Sequence, residues 1–396
     1  DTPESVAEAV LKWDAETLEE AIAEVGLCGA MARSAQEWAE HPHGKVLSKM
    51  PVLEIIKIAD SPPEPCPIGE QPLSGLRVLD LTRVLAGPTC ARTLAEHGAD
   101  VLKIGAEHLP SAEFFVQDTG HGKRSAFLDL SEESGSKKLN ELIRGADVFS
   151  QSYRLGALNN RGYSPEKVAE MRPGIVYVSM NCYGHEGPWK NRKGWEQLAQ
   201  TATGLAVEQG SLTAADKGGD DDEGNKNGSL LSHLRFMGAG TACPLTVTVK
   251  GGNDDEGKKN GGLRFRSRFM EAGTAGPRLL PAAATDYTTG YLAAFGALTA
   301  LVLRAREGGS YYVRASLTQT AMMIEGLGRI GKEEASAQDR MLPEEESQKL
   351  VTVTETPWGA MTHLAPILSL SETPARWTRP TVPLGTHEPV WLDSSR

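Results

Sequence analysis

The chain has little that would take it to a membrane, a nucleic acid or a redox cofactor. No apolar run approaches the 18 or more residues that cross a bilayer, and the opening DTPESVAEAV is acidic where a secretory leader would be basic and then apolar. Lys and Arg number 41 against 52 Asp and Glu, a net charge of −11 that phosphate backbones and anionic lipid surfaces repel. No nucleic-acid or membrane partner is expected. The five cysteines, Cys28, Cys66, Cys90, Cys182 and Cys243, form no CxxC pair and are odd in number. That argues against structural zinc and predicts free thiols in the cytoplasm or another reducing intracellular compartment. The dinucleotide fingerprint GxGxxG and the Walker loop are both missing, so nothing calls for NAD, FAD or a nucleoside triphosphate. The acidic runs at 220–223 and 254–256 lack the spacing of a calcium loop, and no metal is expected.

What the sequence does carry is most legible between Leu76 and Ile104. Leu76, Val78, Leu79 and Leu81 read as a strand buried in a sheet, Ala86-Gly87-Pro88 as a turn into a helix ending near His97 and Gly98, and Ala99 to Ile104 as a second strand. A connection of that length makes the two strands parallel with a right-handed crossover. Alternation continues with strands at 125–130, 146–150 and 174–180 and helices at 131–144 and 164–171. The expected fold is α/β, a doubly wound, mostly parallel Rossmann-like sheet with a small, partly helical additional domain. Ligands of such sheets lie at the carboxyl ends of the strands, which makes the loop Arg83 to Pro88 the first candidate contact.

The remaining organisation reads as a helical segment at 1–60, a Pro-rich linker at 61–72 and a main domain at 73–207. An insertion at 208–277 follows, then main-domain helices and strand at 278–331, a linker at 332–356 and a C-terminal return to the main domain at 357–396. The insertion contains a tandem repeat, GGDDDEGNKNG from Gly218 and GGNDDEGKKNG from Gly251. Two copies are too few for a solenoid, so an exposed insertion is expected, with a flap over the active site as the sharper alternative.

The runs GLRVLDLTRVLAGP and LAEHGADVLKI, followed later by HGKRS, SYRLGAL, GWEQLAQ and DYTTG, closely resemble the family III coenzyme A transferases, a group that includes α-methylacyl-CoA racemases and carnitine CoA-transferase. The resemblance covers Leu73 to Gly210 and Gly276 to Trp391, and implies a helix at 285–307, a strand at 311–317 and a helix at 318–329. It implies an enzyme that moves CoA between an acyl-CoA thioester and a small carboxylic acid through carboxylate-bound covalent intermediates. CoA would be a substrate and no cofactor would be tightly bound. It also implies an interlocked homodimer. Two alternatives stand beside it: isomerisation of a 2-methylacyl-CoA by α-proton exchange, and a degenerate chain that binds CoA or a partner without turnover. Residues 1–60 resemble part of a small domain that relatives carry later in the chain.

Carried onto this sequence, the resemblance puts backbone contacts to CoA at Val84, Leu85, Ala86 and Gly87, and a phosphate clamp at Lys123 and Arg124. Tyr153 and Arg154 match the family's next CoA-contacting segment. The sharpest catalytic candidate is Glu196, aligned with the racemase branch's aspartate and preceded by Trp195 in place of a histidine. An apolar neighbour such as Trp195 would raise its pKa and suit it to general-base or nucleophilic work. The bland alternative is an acidic residue in the first turn of its own helix. Asp216 is the second nucleophile candidate, and His185, on a loop near the expected cleft, a third acid/base candidate. The racemase branch's second proton-transfer residue is a histidine, and the matching stretch SPEKVAEMRPG has none.

Overall fold

The computed structural model describes residues 2–214, 276–330, 334, 342–368 and 370–392. Asp216, both repeats almost entirely, and most of 332–341 lie outside the described residues.

Four helices open the chain: α1 (Pro3–Val10), α2 (Ala15–Glu24), α3 (Ala35–Glu40) and α4 (Pro42–Leu47). Thr2, Asp14 and Ser34 cap the first three, each accepting a backbone N–H three residues on. The expectation of an all-helical 1–60 is corrected at its end. Leu53–Ala59 is a strand, β1, which joins the main sheet antiparallel to the strand Ser310–Ser316, here β7. The helices are not a separate body either: Trp38 and Leu47 pack with Tyr183, Trp189 and Ala199 in one buried cluster.

The sheet continues with β2 (Arg77–Asp80), β3 (Asp100–Gly105), β4 (Lys123–Phe127), β5 (Val148–Gln151) and β6 (Val176–Asn181). Its order is β1-β7-β6-β5-β2-β3-β4, parallel except for β1. The chain winds outward from β2 to β4 and then returns to β5 on the other side of β2. The switch point therefore falls between β2 and β5, where the crevice of a doubly wound sheet opens. Strand side chains are buried on both faces, as expected of parallel strands covered by helices. On one face Val78, Val101, Val148, Val176 and Val313 meet α5 (Ala86–Glu96) and α11 (Ala284–Glu307). On the other, Leu79, Leu102, Phe149 and Tyr177 meet α7 (Glu133–Arg144) and α8 (Pro165–Met171). Helices α6 (Glu113–Thr119), α9 (Glu196–Thr203), α10 (Leu205–Ala214) and α12 (Leu317–Gly326) complete the set around the site.

Helix α11 is long and apolar enough to cross a membrane, contrary to the expectation that no such stretch exists, yet half of that window is buried inside the protein. Ala293, Ala294, Ala297 and Ala300 are its buried contact stripe against α5 and the sheet.

The two expected linkers are structured. In the Pro-rich strap at 61–72, Glu64 Oε1 pairs with Arg172 at 2.6 Å, and Arg304 pairs with Asp147 at 2.8 Å beneath it. In the second, Glu344–Lys349 is a short helix, and Val351–Thr356 (β8) forms a hairpin with Gly359–Leu364 (β9). The chain then returns to the main domain along α5 and β4. Arg376 N–H donates to Glu96 O at 2.9 Å, and His387 N–H to Ser125 O at 2.7 Å.

Candidate active site

Helix α11 begins without a cap of its own, since Ala283 offers no side-chain acceptor. Its first free N–H groups must find acceptors elsewhere. The acceptor is Glu196, the first residue of α9. Its carboxylate takes the N–H of Thr285 at 3.1 Å, the N–H of Asp286 at 2.6 Å, Gln200 Nε2 at 2.5 Å and the Thr285 hydroxyl. Gln200 is fixed in turn, because its Oε1 accepts Leu280 N–H at 2.8 Å. Glu196 is thus a capping anion supplied to one helix by another, only 3% exposed. Four donors, one of them on a neighbouring carboxylate-bearing residue, saturate it.

That neighbour is Asp286, the third residue of α11 and 7% exposed. Its carboxyl receives one backbone hydrogen bond, from Ala86, where α5 begins. Two helix N-termini therefore converge on it. They do so because Gly290 lets the helices touch: a Cβ there would lie 2.5 Å from Ala86 O and 2.7 Å from Thr89 Cβ. Burial pushes the Asp286 pKa well up, and the adjacent Glu196 charge adds to the shift. Burial raises Glu196 as well, with its hydrogen bonds from Thr285 and Gln200 opposing. Two buried carboxyls in contact titrate as a pair. The four-donor oxygen set keeps the charge on Glu196, leaving Asp286 as the member with the higher proton affinity and the freer oxygen.

Several expectations change on this geometry. Trp195 does not enclose Glu196; its side chain is 42% exposed, and Glu196 is buried instead by its bonding to α11. As Glu196 is saturated, it is the weaker of the two candidates for nucleophile. His185 is buried, with Nε2 3.0 Å from Ser179 Oγ and its ring edge-on to Tyr312, and burial lowers its pKa to about 3. It stays neutral and joins neither carboxyl. Asp216 lies outside the described residues. Asp286 was missed on sequence because it opens the DYTTG run as an ordinary first-turn helix acid; the glycine one turn later, Gly290, was the available signal of close approach.

The loop after β2 holds the expected CoA contacts. Leu81 N–H donates to Ser150 O at 2.8 Å and Arg83 N–H to Ser152 Oγ at 2.9 Å, tying the loop across the switch point to β5. Val84 is the one non-glycine with positive φ among the described residues, at 68°, and is 52% exposed. A β-branched residue there is strained. Leu85 is buried, and Ala86 and Gly87 start α5; a Cβ on Gly87 would meet Thr82 at 2.3 Å.

Two cavities flank the segment Gly105 to Leu109 that follows β3. One, of about 150 Å³, lies on the α7 side, lined by Leu81, Leu128, Tyr153 and Leu158 with His108 and Arg161. The other, of about 90 Å³, lies on the α5 side and includes Arg83, Val84, Lys103 and Lys123. Tyr153 lies in the wall of the α7-side cavity. Arg154 is exposed and lines neither cavity.

The expected clamp of Lys123 and Arg124 is corrected. Lys123 is 3% exposed and engaged by Asp80 at 3.0 Å and Pro88 O at 2.8 Å. Arg124 grips both oxygens of Asp100, at 3.3 and 3.0 Å, and donates to Val390 O at 2.7 Å. Both are internal ties, because the C-terminal return covers the start of β4. Among the described residues no cluster of metal-ligating side chains occurs.

Residues 73–218 match the family described as CoA-transferase family III. A protein named acyl-CoA transferase from Gibberella moniliformis is 29% identical over 92% of this chain and 54% of its own length. Acetyl-coenzyme A transferase nodX of Hypoxylon pulicicidum is 34% identical over 53% of this chain and 38% of its own. Formyl-CoA:oxalate CoA-transferase of Streptomyces coelicolor is 37% identical over 33% of this chain and 35% of its own. The chain thus spans about half the length of the first of these relatives and less of the other two. The matched stretch, residues 73–218, carries the switch-point loop, most of the lining of the two cavities and the capping carboxylate, and is what this chain shares with CoA-transferase family III.

Proposed function

We propose that this protein is an acyl-CoA:carboxylate CoA-transferase whose covalent carboxylate is Asp286. The observation that carries the reading is the pairing at the head of α11, where a saturated carboxylate, Glu196, lies against a nearly buried one with a single donor.

The chemistry follows from that asymmetry. The Asp286 carboxylate attacks the carbonyl of the donor thioester; the C–S bond breaks, CoA leaves as thiolate, and a mixed anhydride remains on the side chain. The thiolate then attacks the Asp286 carbonyl, releasing the donor's carboxylate and leaving CoA as a thioester on Asp286. The acceptor carboxylate attacks this thioester; the C–S bond breaks, CoA leaves again as thiolate, and a second anhydride forms on Asp286. The thiolate, attacking the acceptor's acyl carbon, departs as the new acyl-CoA and restores Asp286. Each covalent state turns Asp286 into a neutral acyl group, which removes the like-charge conflict with Glu196. The N-termini of α5 and α11 favour negative charge where the tetrahedral oxyanions develop.

For CoA, the α7-side cavity supplies apolar walls for a base, with Tyr153 as a stacking surface and the exposed His108 and Arg161 as phosphate partners. From there the pantetheine arm would cross the strained loop at Val84 toward Ala86 and Asp286. A homodimer and a reducing compartment belong to the same reading, and Cys28, Cys66, Cys90 and Cys182 are free thiols in keeping with it.

The test is intact-protein mass spectrometry after incubation with a panel of acyl-CoAs and hydroxylamine trapping. The expected result is an adduct on wild type that survives in Glu196→Gln, if that variant folds, and vanishes in Asp286→Asn. An adduct retained by Asp286→Asn overturns the assignment. Absence of any adduct, with deuterium entering the α-position of a 2-methylacyl-CoA, replaces transfer by isomerisation.

A further inference from the structure

The α5-side cavity holds a charge imbalance that the transfer chemistry does not use. Two lysines, Lys103 on β3 and Lys123 on β4, line it, and Arg83 stands at the same wall. The carboxylate that acts on Lys103 is Asp80 alone, while Lys123 and Arg83 repel it. Asp80, however, is already committed. Its Oδ2 takes Lys123 at 3.0 Å, and its Oδ1 takes Thr82 N–H at 2.9 Å and Thr82 Oγ1 at 2.5 Å. Lys103 Nζ has only carbonyls for company, those of Thr82 and, at 3.5 Å, Ile104. Arg83 likewise donates to a carbonyl, Pro110 O.

An ammonium facing a cavity and paired with no carboxylate is an anion site waiting for its anion. The walls say which anion. Val84, Leu109, Phe115, Val116, Val382 and Leu384 make the cavity predominantly apolar, and its volume is about 90 Å³. A diphosphate would bring two or more charges into mostly apolar walls where Lys123 is held by Asp80 and Arg83 donates to Pro110 O, leaving Lys103 as the amine without a carboxylate partner. A carboxylate with a short branched or unbranched hydrocarbon tail brings one charge, two acceptor oxygens and a body for the walls.

We infer that the cavity between β3, α6 and the C-terminal return binds a small apolar carboxylic acid, its carboxylate on Lys103 and its tail against Phe115 and Val116. Val84 is shared between this cavity and the strained loop leading to Ala86, so the site adjoins the path assigned to CoA. If the transfer reading holds, the site selects the acid partner of the reaction as an apolar monocarboxylate. The binding itself does not depend on that reading. Burial lowers the Lys103 pKa to about 8, against the opposing pull of Asp80. The site is therefore charged at neutral pH and loses its charge as pH rises past that value.

Calorimetric titration of the full chain with isovalerate, without any acyl-CoA, tests the inference. Wild type and Asp286→Asn are expected to bind equally, which separates this site from the chemistry at Asp286. Lys103→Met should weaken binding roughly tenfold or more, as should replacing the probe by the uncharged isoamyl alcohol. Val116→Phe, filling the tail space but sparing the amine, should weaken it too. Isovalerate affinity unchanged in Lys103→Met, or no binding by folded wild type, overturns the proposal. So does competitive displacement of isovalerate by ADP through Lys103, which would assign the amine to a phosphate.

Discussion

The first turn of α5 separates two regions of opposite charge imbalance. On its α11 side, two carboxyls, Glu196 and Asp286, meet with no lysine or arginine among the groups that shift them. On its sheet side, two lysines share one carboxylate, Asp80. Several other buried charges are matched: Glu19 with Arg33 at 2.5 Å, Asp147 with Arg304 at 2.8 Å, Asp100 with Arg124 at 3.0 Å. The contrast separates fastening from function. A matched pair closes its own account of charge and has nothing left for a ligand, while a mismatch persists only where something outside the chain, or a covalent change, completes it. On the proposed reading, acylation of Asp286 would complete it in the acid-rich region and a bound anion in the lysine-rich region.

The largest expected effect breaks the acid-rich side. Asp286→Asn should lower turnover of acyl-CoA transfer by on the order of a thousandfold or more, since a missing nucleophile has no substitute. The same variant should leave isovalerate binding at Lys103 intact. Equal loss of both would show that the two regions are one site.

Next come the effects on folding, which set the two regions against each other. Asp80→Asn removes the only carboxylate between two lysines and should destabilise the fold by about 3 kcal/mol in denaturant titration, the cost of an uncompensated buried charge. Glu196→Gln turns an acceptor toward the N–H groups of Thr285 and Asp286, and a loss of about 3 kcal/mol is expected there also. Asp286→Asn should do the reverse and stabilise the protein at pH 7. The sign follows from its raised pKa: the folded state binds the Asp286 proton more tightly than the unfolded chain does. Its burden is absent below the unfolded carboxyl pKa and grows as pH rises toward the folded one. The stability advantage of the Asn variant should therefore shrink on acidification. A constant advantage from pH 4 to 7 would mean that Asp286 is not the carboxyl with the raised pKa.

How much of this was legible beforehand differs between the same two regions. The alternating Val and Leu of β2 to β6 announced a parallel doubly wound sheet, and the strands and helices fall within a few residues of where periodicity put them, because burial on both faces writes a continuous signal. One exception, Leu53–Ala59, reads as a continuation of the preceding helices, although it pairs with a strand more than 250 residues later, and sequence pattern does not encode such a partner. At the site, the sequence points to Glu196 but not to what it holds. Its partners sit 89 and 90 residues on, so nothing local distinguished a cap for α11 from an acid in the first turn of α9. Lys123 and Arg124 were misread for a related reason: a basic pair at a strand start looks exposed until the tail returns to cover it. Asp286 was overlooked because it occupies an ordinary place for a helix acid, and only the approach of Ala86 and Glu196 makes it unusual.

The smallest expected effect concerns the loop that joins the regions. Val84 holds a left-handed conformation with its side chain half in solvent and lines the cavity of Lys103. Asn tolerates that conformation far better, so Val84→Asn should stabilise the fold by about 1 kcal/mol in denaturant titration. If the strain is kept for the sake of an apolar wall, the same variant should bind isovalerate more weakly, by a fewfold, and leave the adduct at Asp286 detectable. A stability gain with unchanged binding would make Val84 part of the route to Asp286 alone, and the two regions would then be neighbours across α5 without a shared wall.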